Sequence, residues 1–116
     1  MINISSGAGR TPYTGWSSYC AGKAGLDHYT RVVAEEQRNN PFGVKIISIA
    51  PGIIDTEMQE KIRGTNKEAF EHVDRFIDYK NQGLLSTAEE TANKLIQLIE
   101  REDFHTMEPI LDLRQF

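Results

Sequence analysis

One cysteine, Cys20, stands alone in this 116-residue chain, so no disulfide can form within it. Stability therefore has to come from burial, and a chain of this length buries only a modest core. Basic residues are also in short supply. Thirteen lysines and arginines against seventeen aspartates and glutamates leave a net charge of −4, which argues against nucleic acid or an anionic membrane as partner. No apolar run approaches the roughly 20 residues that a bilayer crossing needs. The three histidines, His28, His72 and His105, are too far apart for paired ligand spacing, so no zinc site is expected. No basic-then-apolar leader is evident. With the lone cysteine, this leads to the expectation of a reducing, cytoplasmic setting.

What is present alternates strand and helix. Ile2 to Ser5 reads as a strand, and Gly7 to Gly15, with Pro12, as a loop. A helix is predicted from Ser17 to Arg38, with Ala21, Ala24, Gly25, Tyr29, Val32 and Val33 as its apolar face. Asn39-Asn40-Pro41-Phe42-Gly43 ends it. Val44 to Ala50 is almost continuously apolar, the pattern of a parallel strand covered on both faces. Helices are predicted over Thr56 to Arg63 and Lys67 to Asn81. Ser86-Thr87-Ala88-Glu89 reads as a capping box opening a helix to about Glu100, with Ala92, Leu95, Ile96, Leu98 and Ile99 inward. Pro109 to Leu113 is a short third strand. This order implies right-handed crossovers and a parallel sheet, an α/β fold.

Chemistry concentrates near the start. The first strand pattern ends in Ser6, and thirteen residues later the helix carries Tyr19 and Lys23. Residues four apart share a helix face, so a phenol and an ammonium can enter one site. A free tyrosine titrates near ~10, and a nearby cation favours the phenolate. Such a phenol can serve as general acid or base closer to neutral pH, while a serine hydroxyl holds the oxygen of a carbonyl or alcohol. Against this stands the plainer reading of a loop serine, an amphipathic aromatic and a solvated lysine. After the second strand, Pro51 fixes the chain's exit and Gly52 lets backbone approach a ligand closely. Thr56 also suits a helix N-cap. Tyr13 and Trp16 either line a pocket or pack the loop down.

Ile2-Asn3-Ile4-Ser5-Ser6, Gly15-Trp16, Tyr19-Cys20-Ala21-Gly22-Lys23-Ala24, and Ala50-Pro51-Gly52 through Asp55-Thr56-Glu57-Met58-Gln59 together resemble the C-terminal half of a short-chain dehydrogenase/reductase. The similarity is greatest to its sepiapterin reductase and benzil reductase branch, and it runs from Ile2 to about Asp112. The resemblance implies about three neighbouring parallel strands of a Rossmann-type doubly wound sheet. It implies Ser6, Tyr19 and Lys23 as catalytic residues. Tyr19, Lys23, Pro51, Gly52, Ile54 and Thr56 are the implied contacts to a nicotinamide dinucleotide, NADP or NAD, with NADPH favoured. Asp55 and Met58 fall in a substrate-covering segment. Asp112 falls near the acidic residue that anchors a pterin in sepiapterin reductases.

Residues 1–116 are accordingly expected to form a single partial domain that lacks the dinucleotide-phosphate-binding half. Met1 is followed at once by a core-like strand, and Gly7-Ala8-Gly9 is not the glycine-rich pyrophosphate turn, because position 12 is Pro. The leading expectation is an NAD(P)-dependent carbonyl reductase of small molecules, with the 116-residue stretch alone binding cofactor weakly or not at all and having no useful turnover. The alternative is a non-catalytic folded remnant or oligomerisation module. A homo-oligomer is expected through the Tyr19-Lys23 helix or an exposed edge strand. A serine hydrolase built on Ser6 is disfavoured, since no G-x-S-x-G elbow surrounds it.

Overall fold

The computed structural model describes residues 1–54, 57–66, 70–83 and 85–116. Three parallel strands form one sheet in the order β1 (Ile2–Ile4), β2 (Ile47–Ala50), β3 (Ile110–Asp112). Ile2 pairs with Ile47 and Ile4 with Ile49, while Ser48 pairs with Ile110 and Ala50 with Asp112. All four residues of β2 are buried, as an uninterrupted apolar strand between two others requires. It is shorter than the Val44 to Ala50 run, because Val44 lies exposed ahead of the ladder.

The helices are α1 (Ser17–Gln37), α2 (Glu57–Arg63), α3 (Val73–Asn81) and α4 (Ala88–Ile99). The predicted helix from Lys67 begins later. Residues 67–69 lie outside the described set, and Glu71 and His72 form a turn that leads into α3. The capping box of α4 is displaced by one residue. Thr87 caps and Glu90 reciprocates, because the Ser86 backbone is engaged with Ile53 and Ile54 instead.

Each face of the sheet has its own chemistry. Ile47, Ile49 and Leu111 pack with Leu98 of α4, Phe104 and Leu113 in one apolar core, flanked by Ile2, Leu95 and Met107. Ala92, Ile96 and Ile99, expected inward, are exposed, and Thr91 takes the buried place on α4. The opposite face is polar and meets α1. There the buried residues are Asp27 and Thr30. The Asn3 amide donates to the Thr30 hydroxyl at 3.1 Å, and the Ser48 hydroxyl donates to Asp27 Oδ1 at 2.7 Å. The apolar face of α1 (Ala21, Ala24, Gly25, Tyr29 and Val32) therefore points outward. Hydrogen bonding to two polar strand residues, buried Ser48 and half-buried Asn3, outweighs the apolar pattern in setting the rotation of α1.

A second core lies at the carboxyl end of the sheet. Ile62, Phe70, Val73 and Phe76 gather around α2 and α3, with Tyr13, Trp16, Ile77 and Tyr79 packed against them. The aromatic loop before α1 is thus clamped by the excursion after β2. The radius of gyration, 15.9 Å, exceeds the roughly 13 Å of a compact domain of this length.

Candidate active site

Ser6 is placed by the end of β1. The Ser5 amide donates to the Ile49 carbonyl at 2.8 Å, extending the ladder by one bond. The chain then turns into a short 3-10 helix over Gly7–Gly9, and Ser6 caps it, its hydroxyl oxygen accepting from the Ala8 amide at 3.1 Å. That bond fixes the oxygen and leaves the hydroxyl proton available to a ligand.

Gly9 brings this turn onto α1. A β-carbon there would stand 2.8 Å from the Lys23 carbonyl carbon and 3.0 Å from the Ala24 nitrogen. The turn is therefore a packing device against the helix that bears Tyr19 and Lys23, and not a phosphate cradle. Gly9→Ala is expected to lower stability by about 1–3 kcal/mol through this backbone overlap, measured as a loss of chemical-denaturation midpoint at unchanged slope.

Lys23 lies one turn beyond Tyr19 on α1. Its ammonium donates to the Ile4 carbonyl at 2.9 Å and stands 5.8 Å from the Tyr19 ring centroid. One of its three protons is thereby engaged, leaving two for other acceptors. Trp16 meets the Tyr19 ring edge-on at 5.6 Å and stacks on Phe70 at 4.5 Å, so the phenol is positioned by packing.

The strand β2 supplies the facing wall. Gly52 has φ +90, a conformation suited to glycine, and a β-carbon there would come within 3.2 Å of the Arg114 side chain. The chain then runs beside Ser86, whose amide donates to the Ile53 carbonyl at 2.9 Å. Ser6, Tyr19, Lys23, Pro51, Gly52 and Ile54 all line a single cleft of about 450 Å³. Thr56 and Asp55 lie outside the described residues. Tyr13, Trp16 and Met58 also line the cleft, which resolves the two readings of the loop aromatics: they do both jobs. Asp112 does not line it. Its carboxylate is held by Arg114 at 2.6 to 3.2 Å, and those bonds keep it below the usual carboxylate range against the effect of burial. Arg114 is the member of that pair which reaches the cleft.

Beneath the site lies a polar knot with no local sequence signal. Arg10, just past the 3-10 turn, reaches Asp27 Oδ2 through Nε at 3.1 Å, and its other nitrogens donate to the Leu111 carbonyl at 2.9 Å and the Ser48 carbonyl at 3.4 Å. Burial pushes the Asp27 carboxyl up. Hydrogen bonds from Arg10 and Ser48, the Ser5 hydroxyl turned toward it, and the Arg10 charge outweigh that and hold it below its ordinary value. Loop, helix and two strands are thus joined at one buried carboxylate.

Comparison with known proteins agrees with this arrangement. Residues 1–67 match the model of the short chain dehydrogenase family. Benzil reductase ((S)-benzoin forming) of Bacillus cereus is 48% identical over 104 residues, which are 90% of this chain and 42% of that protein. Sepiapterin reductase of Mus musculus is 36% identical over 106 residues, 91% of this chain and 39% of that protein. Among solved structures, the KRED1-Pglu enzyme superposes with a TM-score of 0.80 at 28% identity, covering 95% of this chain and 45% of that one. The chain thus spans about two fifths of the length of the curated relatives it matches.

Proposed function

Since the chain belongs to the short-chain dehydrogenase family, we propose that it carries the proton-transfer side of an NAD(P)-dependent carbonyl reductase. The observation behind this reading is the meeting of Ser6, Tyr19 and Lys23 in one cleft with the backbone of Pro51 to Ile54 opposite. The donor set fits the nicotinamide end of such a cofactor. Lys23 has two uncommitted protons for ribose hydroxyls, and the Gly52 turn exposes backbone to a flat amide. When bound, a reduced nicotinamide supplies hydride to the carbonyl carbon.

The chain's own residues do the rest. Ser6 donates a hydrogen bond to the carbonyl oxygen and holds it in place, keeping its own proton. Tyr19 gives that oxygen its phenolic proton as charge develops there. Lys23, held in the same cleft by Ile4, stabilises the phenolate that remains. Trp16, Tyr13 and Phe76 exclude water from the reacting oxygen. An aromatic diketone of the kind named in the benzil reductases suits these walls, and NADPH is the favoured cofactor.

Self-association belongs to the same reading. Ile4 on the outer strand is 48% exposed, and Tyr29 and Val32 are exposed on α1, surfaces of the sort that recruit a second copy. The deciding experiment measures solution size and titrates NADPH and NADH in the same sample by fluorescence. An oligomer is expected, with NADPH bound more weakly than about 100 µM because no glycine-rich pyrophosphate turn contributes. A strict monomer that takes up neither nucleotide at millimolar concentration would remove this reading.

A further inference from the structure

The cleft is positive on an acidic chain. No aspartate or glutamate among the described residues lines it, whereas Lys23, Arg75 and Arg114 do, although the chain as a whole carries −4. Lys23 is held by the Ile4 carbonyl beside Tyr19, where the reductase reading already uses its charge, and Arg114 is neutralised by Asp112.

Arg75, on α3, is different. Its Nε donates to the Tyr79 hydroxyl. Its guanidinium stands 5.8 Å from the Tyr13 ring centroid and 5.7 Å from that of Tyr79. Cation–π contacts of this kind restrain a guanidinium without neutralising it. Among the described residues no carboxylate pairs with it, so its terminal nitrogens remain available to an anion.

Its place relative to Tyr19 defines what that anion belongs to. From the Tyr19 ring the wall runs to Trp16 at 5.6 Å, from Trp16 to Tyr13 at 5.3 Å, and from Tyr13 to Arg75 at 5.8 Å. Proton donor and guanidinium are thus linked through Trp16 and Tyr13 along one aromatic lining of the cleft. Such a wall suits a flat ring between a carbonyl at one end and an acid at the other.

We propose that Arg75 is a specificity-determining residue, selecting aryl ketones that carry a carboxylate across the ring from the carbonyl. This rests on the reductase reading of the same cleft. The other source of an anion is a cofactor phosphate. The ring-lined surroundings of Arg75 favour an aryl carboxylate over a sugar phosphate, and the test separates the two.

Trp16 is the only tryptophan and forms part of the wall, so its fluorescence reports occupancy. The probes are 4-acetylbenzoate and its neutral isostere 4-acetylbenzamide, titrated into the native chain, Arg75→Gln and Arg75→Lys, with folding of each checked by circular dichroism. The acid is expected to bind the native chain about tenfold more tightly than the amide, as a charge-assisted contact implies. Arg75→Gln is expected to remove that preference and leave amide binding in place, while Arg75→Lys retains most of it. Equal binding of acid and amide to the native chain overturns the proposal and leaves the reductase reading standing. The proposal is likewise overturned if Arg75→Gln weakens NADPH while the preference for acid survives, which assigns Arg75 to a cofactor phosphate. Binding of neither probe overturns the proposal, and the nucleotide titration then decides the reductase reading separately.

Discussion

Tyr19→Phe is expected to slow NADPH-dependent reduction of an aromatic diketone by about 10²- to 10⁴-fold, the range that a positioned general acid contributes. The substitution removes one oxygen and its proton and keeps the ring. Packing against Trp16 is edge-to-ring at 5.6 Å and does not involve the hydroxyl, so the wall of the cleft survives. Lys23 is anchored by Ile4 independently of Tyr19, and the Ser6 hydroxyl by Ala8. The loss therefore falls on turnover, with denaturation midpoint and NADPH affinity close to native. Turnover by the 116-residue chain is expected to be slight at most, so the assay is product formation at high protein concentration, read by chromatography of the hydroxyketone. Equal rates for Tyr19→Phe and the native chain would show that the proton comes from elsewhere.

The largest structural effect is expected at Asp27. Its carboxylate is 2% exposed and receives Arg10 and the Ser48 hydroxyl. Asp27→Asn preserves the volume and removes the charge. It leaves the Arg10 guanidinium without its counter-ion, and the single amide oxygen can accept from Ser48 or from Arg10 Nε but not from both. Breaking a buried pair from one side costs about 3–5 kcal/mol, and the lower end applies because Arg10 is 25% exposed and can turn toward water. Against a typical total of about 5–15 kcal/mol, that is enough to leave a substantial unfolded fraction. Urea denaturation of the two chains measures it, and a difference below about 1 kcal/mol would show that the knot is ornamental to stability.

The same carboxylate sets an acid limit. Its pKa in the folded chain lies below that of an unfolded aspartate, near 3.9, so between those two values the unfolded state binds more protons than the folded one. Its stabilisation is complete above about pH 4 and is lost as pH falls through the folded value. The native chain is thus expected to lose stability steeply below pH 4, and Asp27→Asn to show a shallower acid dependence.

Much of the fold was legible because it is encoded locally. The strand ending at Ser6, the helix from Ser17, the buried run closing at Ala50 and the helix before Glu100 each follow from short-range periodicity, and all appear with shifts of a few residues. Tyr19 and Lys23 were legible as a pair because helix geometry alone puts them on one face. Where local reasoning failed, a nonlocal partner had intervened. Ser86 was expected to cap α4, but its backbone bridges to Ile54, so Thr87 caps instead. The apolar face of α1 did not reveal the helix's rotation: Asn3 and Ser48 present hydrogen-bonding groups on that side of the sheet and draw Thr30 and Asp27 there.

Arg10 and Arg75 had no legible signal at all. Arg10 finds Asp27 17 residues away and the Leu111 carbonyl 101 residues away, and nothing in the residues around it announces either. Arg75 looks like any charge on an exposed helix until α3 folds over the aromatic loop. By itself, then, the sequence determined the order of strands and helices and the presence of a serine, a phenol and an ammonium at the spacing a reductase uses, since those depend on neighbours along the chain. The tertiary structure decided which face of α1 is buried, what holds the loop after β1 to the sheet, and that the cleft carries a guanidinium with no carboxylate partner among the described residues. Those depend on charges and hydrogen-bonding groups meeting across the fold, where desolvation and pairing, and not periodicity, determine the outcome.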